Sequence, residues 1–251
     1  MVYLRDHNEV EAIRRSAQLV AKTLQMLKRE AKPGVTTREL DRMAERFIRD
    51  HGGKPAFKGY RGFPASFCPA INDEVVHGIP GERRLEDGDI LGLDVGVVMD
   101  GYFGDAAITV PVGKVSNEAV ALMDVTRAAL MAGIAEAKAG NRVGDISRAI
   151  QTYAEERGYS VVRALVGHGI GREMHEEPQV PNHVTPGRPG PKLQAGQVLA
   201  IEPMVNIGGP DVLTQADGWT VVTKDGSLSA HFEHTVLVGG DGPEILSAPE
   251  A

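Results

Sequence analysis

The sequence is poor in the features that mark several common kinds of protein. It has one cysteine, Cys68, among 251 residues. No disulfide can form within the chain, which fits a reducing compartment. No apolar run approaches the ~20 residues a membrane-spanning helix needs. The opening stretch MVYLRDHNEVEAIRRS lacks the apolar core of a secretory leader. No basic run stands out: 27 Lys and Arg face 34 Asp and Glu, a net charge of −7, which argues against direct contact with nucleic acid. These absences lead us to expect a cytoplasmic chain with no membrane partner. What remains is 42% hydrophobic and 24% charged, an ordinary globular composition, long enough for one large core or two small ones.

Val10, Ile13, Ala17, Val20, Leu24 and Leu27 recur three or four apart, which predicts one buried helix face ending at Pro33-Gly34. TTRELDRMAERFIRDHGG opens on a capping box, Thr36 to Glu39, and stops at Gly52-Gly53. Two further helices are predicted over 117–138 and 145–157, and the glycine-punctuated Val/Ile stretches read as strands. The chain also repeats itself. AKPGVTTRELDRMAERFIRDHG from Ala31 aligns with AKAGNRVGDISRAIQTYAEERG from Ala137, and LEDGDILGLD from Leu85 aligns with LQAGQVLAIE from Leu193, which sets Asp94 against Glu202. HGIP at His77 echoes HGIG at His168 at a different offset. Two amphipathic helices can resemble each other by chance, but the pairing of two acidic residues favours a two-copy α+β unit with a site between the copies.

DILGLDVGVVMDGYFGDAAITV is apolar on both sides of Asp100-Gly101, a strong signal for a two-residue hairpin turn. That register pairs Met99 with Tyr102 and Asp94 with Ala107, so Asp94 and Asp105 become diagonal neighbours on one face. A solvated edge strand would tolerate this, but the surrounding Leu, Val and Ile argue against one. Two ionised carboxylates so placed repel each other and lose hydration, and cations between them would relieve both costs. Glu202, in VLAIEPMV, and Glu233, in HFEHTVLV, are equally improbable strand carboxylates. Four negative charges match two divalent cations, and hard oxygen ligands with one imidazole suit Co²⁺, Mn²⁺, Fe²⁺ or Zn²⁺. Among the histidines, His7 and His51 read as surface residues and His183 as solvated in a Pro-rich loop. His77 reads as a loop residue aimed into a cleft. His231 and His234 flank Glu233 and are open as ligands; strand alternation puts His231 on the Glu233 face and His234 on the other.

HGIP, LDVG, GYFGDAAIT, GHGIGREMHEEP, IEPM and DGWTVVTKDGSLSAHFEHT occur in an order that resembles type I methionine aminopeptidase along nearly the whole chain. The resemblance implies an α+β pita-bread fold, with two pseudo-symmetric α/β halves, roughly 10–113 and 114–240, around a central antiparallel sheet in one catalytic domain, 1–251. It implies removal of the N-terminal methionine from nascent polypeptides when the second residue is small, by a monomer with two divalent metal ions and a transient ribosome contact. Residue by residue, Asp94, Asp105, His168, Glu202 and Glu233 match metal ligands. Of these, Asp94 goes to one ion, His168 and Glu202 to the other, and Asp105 and Glu233 to both. The glycines around His168 would let the backbone bring it close to the ions. Glu202 is implied as general base, and His77 and His175 as non-ligand catalytic histidines that contact substrate. Tyr60, Phe63, Cys68, Met174 and Trp219 match the methionine pocket, whose apolar walls and soft sulfur suit a thioether. Arg61, Phe57 and Met174 depart from the residues common in bacterial relatives. A proline-specific peptidase of the same fold is a rival, as is a non-catalytic binding protein on the same scaffold. The first usually carries an extra N-terminal domain, whereas two helices precede the motifs here; the second would have lost ligands, and all five positions are filled.

Overall fold

The computed structural model describes residues 3–249. The chain runs α1 (His7–Glu30), α2 (Thr37–Asp50), β1 (Lys54–Pro55), a single 3-10 turn (Tyr60–Gly62), β2 (Cys68–Ile71), β3 (Glu74–Val76), β4 (Ile90–Met99) and β5 (Tyr102–Pro111). It continues with α3 (Asn117–Ala135), α4 (Val143–Glu155), β6 (Ser160–Val161), β7 (Val166–Gly169), β8 (Glu176–Pro181), β9 (Val198–Ile201) and β10 (Met204–Asn206). Last come β11 (Val212–Thr214), β12 (Val221–Thr223), β13 (Ser229–His231), β14 (Glu233–Leu237) and β15 (Glu244–Ile245). Among these helices none is long and apolar enough to cross a membrane.

The six apolar residues spaced along α1 are all buried, and the helix starts at a capping box of Asp6 and Glu9. The Thr36–Glu39 box opens α2 as predicted. α3 stops at Ala135, short of the predicted end. α4 begins at Val143, two residues early, because the Asp145 carboxylate accepts from the Arg142 backbone N–H and fixes the first turn there. α1 and α2 pack with β4 and β5 in one core that includes Leu24, Leu40, Leu91 and Val95. α3 and α4 build a second core around Leu122, Ile146, Leu199 and Val236. Ile108 packs against both.

The main sheet runs β1-β4-β5-β14-β9-β7-β8, with β2 also on β4 and β15 on β14. Its pairings are antiparallel. The repeat is visible here: α2 and α4 occupy the aligned segments, β4 and β9 start at the aligned Ile90 and Val198, and β5 and β14 meet at the centre. The echo between His77 and His168 is not part of it. Ala70 lies opposite Gly92 and His168 opposite Ala200, so the counterpart of β7 is β2, and His77 lies beyond the end of β3.

Candidate metal and peptide site

Asp100 and Gly101, both at positive φ, turn β4 back on β5 in the predicted register, with Asp94 opposite Ala107. Ala107 in turn lies opposite Glu233 on β14. β9 pairs β14 with Ile201 opposite His234, and β10 pairs β13 with Met204 opposite His231. Carried through the break between them, that register sets Glu202 opposite Glu233. Cys68, Asp94, Ala107, Glu233 and Glu202 therefore form one row across the sheet, and Asp105, two residues from Ala107, shares its face. Glu202 sits one residue past the end of β9 rather than within a strand, and the Asn182 side-chain amide donates to its carbonyl at 3.1 Å.

His168 completes the group. One atom each from Asp105, His168 and Glu233 lie within 4.8 Å of one another, and all three residues are buried. Its Nδ1 is 2.9 Å from the Gly169 carbonyl, an oxygen that can only accept, so Nδ1 carries the proton and Nε2 is left as a lone pair. Nε2 lies 3.5 Å from Glu202 Oε1. The flanking glycines are required by the neighbouring strands: a Cβ on Gly167 would meet the Ala200 carbonyl oxygen at 2.4 Å, and one on Gly169 the Glu177 oxygen at 2.4 Å.

Burial, together with the mutual repulsion of the acids, holds the carboxyls of Asp105, Glu202 and Glu233 well above the usual range. Burial pushes Asp94 up to about 8. Burial also raises the neighbouring Cys68 thiol, and Asp94 raises it further. The same loss of hydration lowers His168 to about 4 and His175 to about 3, the latter also through His168 and Arg61. Oxygens of Asp94 (Oδ1), Asp105 (Oδ1) and Glu233 (Oε1) are buried without a hydrogen-bond donor. Stranded acceptors crowded in a low-dielectric site are what divalent cations satisfy, and the set of four carboxylates and an imidazole fits them.

The cavity above this row, about 140 Å³, is lined by all twelve residues singled out from the sequence, from Tyr60 and Phe63 to Glu233. Phe57 and Arg61 line it too. Phe63 meets Trp219 edge-on with centroids 5.1 Å apart, and Met174 is 2% exposed, so one side of the cavity is apolar. The Tyr60 hydroxyl and His175 Nδ1 share a hydrogen bond at 2.9 Å. His77 sits at φ 61, a strained backbone for a residue with a Cβ. The Arg61 guanidinium lies over the Tyr60 ring, 5.3 Å from its centroid.

His7 and His51 are exposed, as expected. His234 turns away and bonds Ser247 Oγ at 2.8 Å. His183 is half-buried, with Nδ1 shut away from water and no partner, so the expectation of a solvated ring fails. The Pro-rich loop suggested exposure, but the residue packs beside α4 near Ser147. His231 is 4% exposed and faces Glu202, on the side that strand alternation gave it. The Tyr60–His175 bond was not legible in the sequence, because it joins residues 115 apart.

Residues 11–239 match metallopeptidase family M24. A methionine aminopeptidase of Clostridium acetobutylicum is 53% identical over 251 residues, covering all of both chains. The crystal structure of methionine aminopeptidase from Rickettsia prowazekii is similar at a TM-score of 0.96 and 42% identity, over 99% of this chain and 100% of that one. Prolidase from Pyrococcus furiosus shares the fold alone, at a TM-score of 0.81 and 22% identity over 99% of this chain and 66% of the prolidase.

Proposed function

The chain belongs to metallopeptidase family M24 and within it to the methionine aminopeptidases, and from that premise we propose how its residues divide the work. Its α+β architecture is the pita-bread fold expected from the sequence. It is a metallopeptidase that removes N-terminal methionine, and nascent polypeptide N-termini are its substrates. In our reading 1–251 is a single catalytic domain, since one sheet runs through both halves. It acts as a monomer in the cytoplasm, with transient contact to the ribosome that supplies its substrates.

What carries the proposed site is the row of acids with stranded oxygens on the floor of a cavity with one apolar side. Asp94, Asp105, His168, Glu202 and Glu233 would hold two divalent cations, Co²⁺, Mn²⁺, Fe²⁺ or Zn²⁺, with Asp105 and Glu233 serving both. Bound there, the ions would lower the pKa of a water and polarise the scissile carbonyl. Glu202 takes the proton of the attacking water as general base. With the Tyr60 hydroxyl donating to Nδ1, His175 keeps its proton on Nε2 and donates it as a hydrogen bond to the carbonyl oxygen as charge develops. His77 holds the peptide just beyond the cleaved bond. Tyr60, Phe63, Cys68, Met174 and Trp219 enclose the methionine side chain, where a flexible thioether fits an irregular apolar wall.

Metal-reconstituted enzyme tested on Met-Ala-Ser, Met-Leu-Ser and Ala-Pro peptides separates this reading from a proline-specific one. Fast cleavage of the first, slow cleavage of the second and none of the third is expected. Cleavage of Ala-Pro with Met-Ala-Ser intact would reverse the assignment.

A further inference from the structure

His231 is left without a role by this chemistry. It is 4% exposed, and its Nε2 is buried with no hydrogen-bond partner. That nitrogen lies 3.9 Å from Glu202 Oε2, while the other oxygen, Oε1, faces His168 Nε2 at 3.5 Å. The Glu202 carboxylate thus stands between two imidazoles. Of these two rings His168 lines the cavity and His231 does not.

The backbones on both sides are fixed. Thr109 Oγ1 donates to the His231 carbonyl at 2.8 Å and accepts from its N–H at 3.0 Å, clamping the residue from β5. Met204 pairs with His231, and the same register carried two residues back from β10 makes Glu202 the diagonal neighbour of His231. The Asn182 amide holds the Glu202 carbonyl. A buried N–H needs an acceptor, and of the carboxylate's two oxygens Oε2 is the one that faces this ring.

We infer that His231 is a positioning residue for Glu202: its Nε2–H donates to Oε2 and turns Oε1 towards His168 and the attacking water. The inference rests on the reading of Glu202 as general base. Closing the 3.9 Å gap to hydrogen-bonding distance requires the two side chains to rotate towards each other. The neutral ring spends its one proton on Oε2, so it offers no lone pair to a cation through that nitrogen.

Three measurements test it. In the wild-type enzyme, proton-detected nitrogen NMR of the His231 ring should find the proton on Nε2; a proton on Nδ1 alone would overturn the inference without any substitution. In Mn²⁺-loaded enzyme on Met-Ala-Ser, His231→Leu should lower kcat by about 10- to 100-fold, the loss expected for a hydrogen bond to a charged group, with KM nearly unchanged. His231→Gln, which places an amide N–H at similar reach, should recover most of that loss. Titration of the apo forms with Mn²⁺ should give the same stoichiometry for all three. Wild-type turnover in His231→Leu, no recovery in His231→Gln, or loss of one equivalent of Mn²⁺ would each overturn it, the last by making His231 a ligand. Glu202→Gln measured alongside keeps the two readings apart. Full turnover there removes Glu202 as general base, whereas its loss beside an unaffected His231→Leu removes only the positioning role.

Discussion

At His175 the question is which ring nitrogen faces the cavity, and in the proposed reading the Tyr60 hydroxyl settles it by donating to the other. The Tyr60 hydroxyl lies 2.9 Å from Nδ1, and the two rings stack with centroids 5.3 Å apart. Tyr60→Phe keeps the stack and removes the bond, so kcat should fall by roughly three- to tenfold, the worth of one neutral hydrogen bond. His175→Ala should lose ~10²–10³-fold in kcat, as for other donors aimed at a developing oxyanion, with metal stoichiometry intact. His168→Ala should lose metal at one site; elemental analysis beside steady-state kinetics tells the two histidines apart. Far from this chemistry, Asp225 offers a pH test. Its carboxylate accepts from Ser227 Oγ, the Gly209 N–H and the Ser227 N–H, which hold it down at about 2. A folded value below the unfolded ~3.9 means the stabilisation is present above about pH 4 and is lost as pH falls through 2. Asp225→Asn should therefore melt below wild type at pH 7, with the gap narrowing as pH falls from about 4 towards 2 in thermal scans.

Between elements, one close approach that shapes the site is α1 on β5. A Cβ on Gly104 would stand 2.5 Å from the Ala17 backbone nitrogen, where nothing can yield except the helix. Gly104→Ala should cost about 1–3 kcal/mol, as overpacking does, and lower the denaturant midpoint. Because Asp105 is the next residue, metal binding should weaken with it. α1 could be read from its spacing and the β4–β5 hairpin from Asp100-Gly101, since both signals lie within a few residues. That hairpin alone put Asp94 and Asp105 on one face. Sequence could not show that Glu202 falls in a gap between β9 and β10, nor that β2, not the His77 loop, answers β7. These depend on which strands meet, and local alternation says nothing of partners. His231 was placed on the correct face, but its neighbour Glu202 comes from another strand, so its role waited for the register. The family resemblance supplied the roles of His77 and His175, which no spacing distinguishes from those of other histidines.

Across the whole molecule, the two halves meet in the main sheet on β5 and β14, Ala107 with Glu233 and Ala106 with His234, and β3 also pairs with β12. The acids gather at that seam, so cations there would clasp the halves together. An ion at a hundred times its Kd adds about 2.7 kcal/mol, and its removal should lower the melting midpoint by roughly 5–10 °C in a chain of this size. Hydrogen exchange after chelation should quicken at the β5 and β14 amides before it does in α2 or α4. The same topology sets an order in time. β14 lies at the centre of the sheet, yet among the described strands every other one but β15 precedes it in the chain. Until it arrives, β5 presents ten residues with one edge unpaired, an invitation to the wrong strand. A chain stopped after Gly226 has lost the middle of its sheet rather than its margin. It should aggregate rather than fold, as light scattering during refolding would record. The proposed site therefore stays incomplete until β14 has been made, because Glu233, the last of the five proposed ligands in chain order, sits on the strand that closes the sheet.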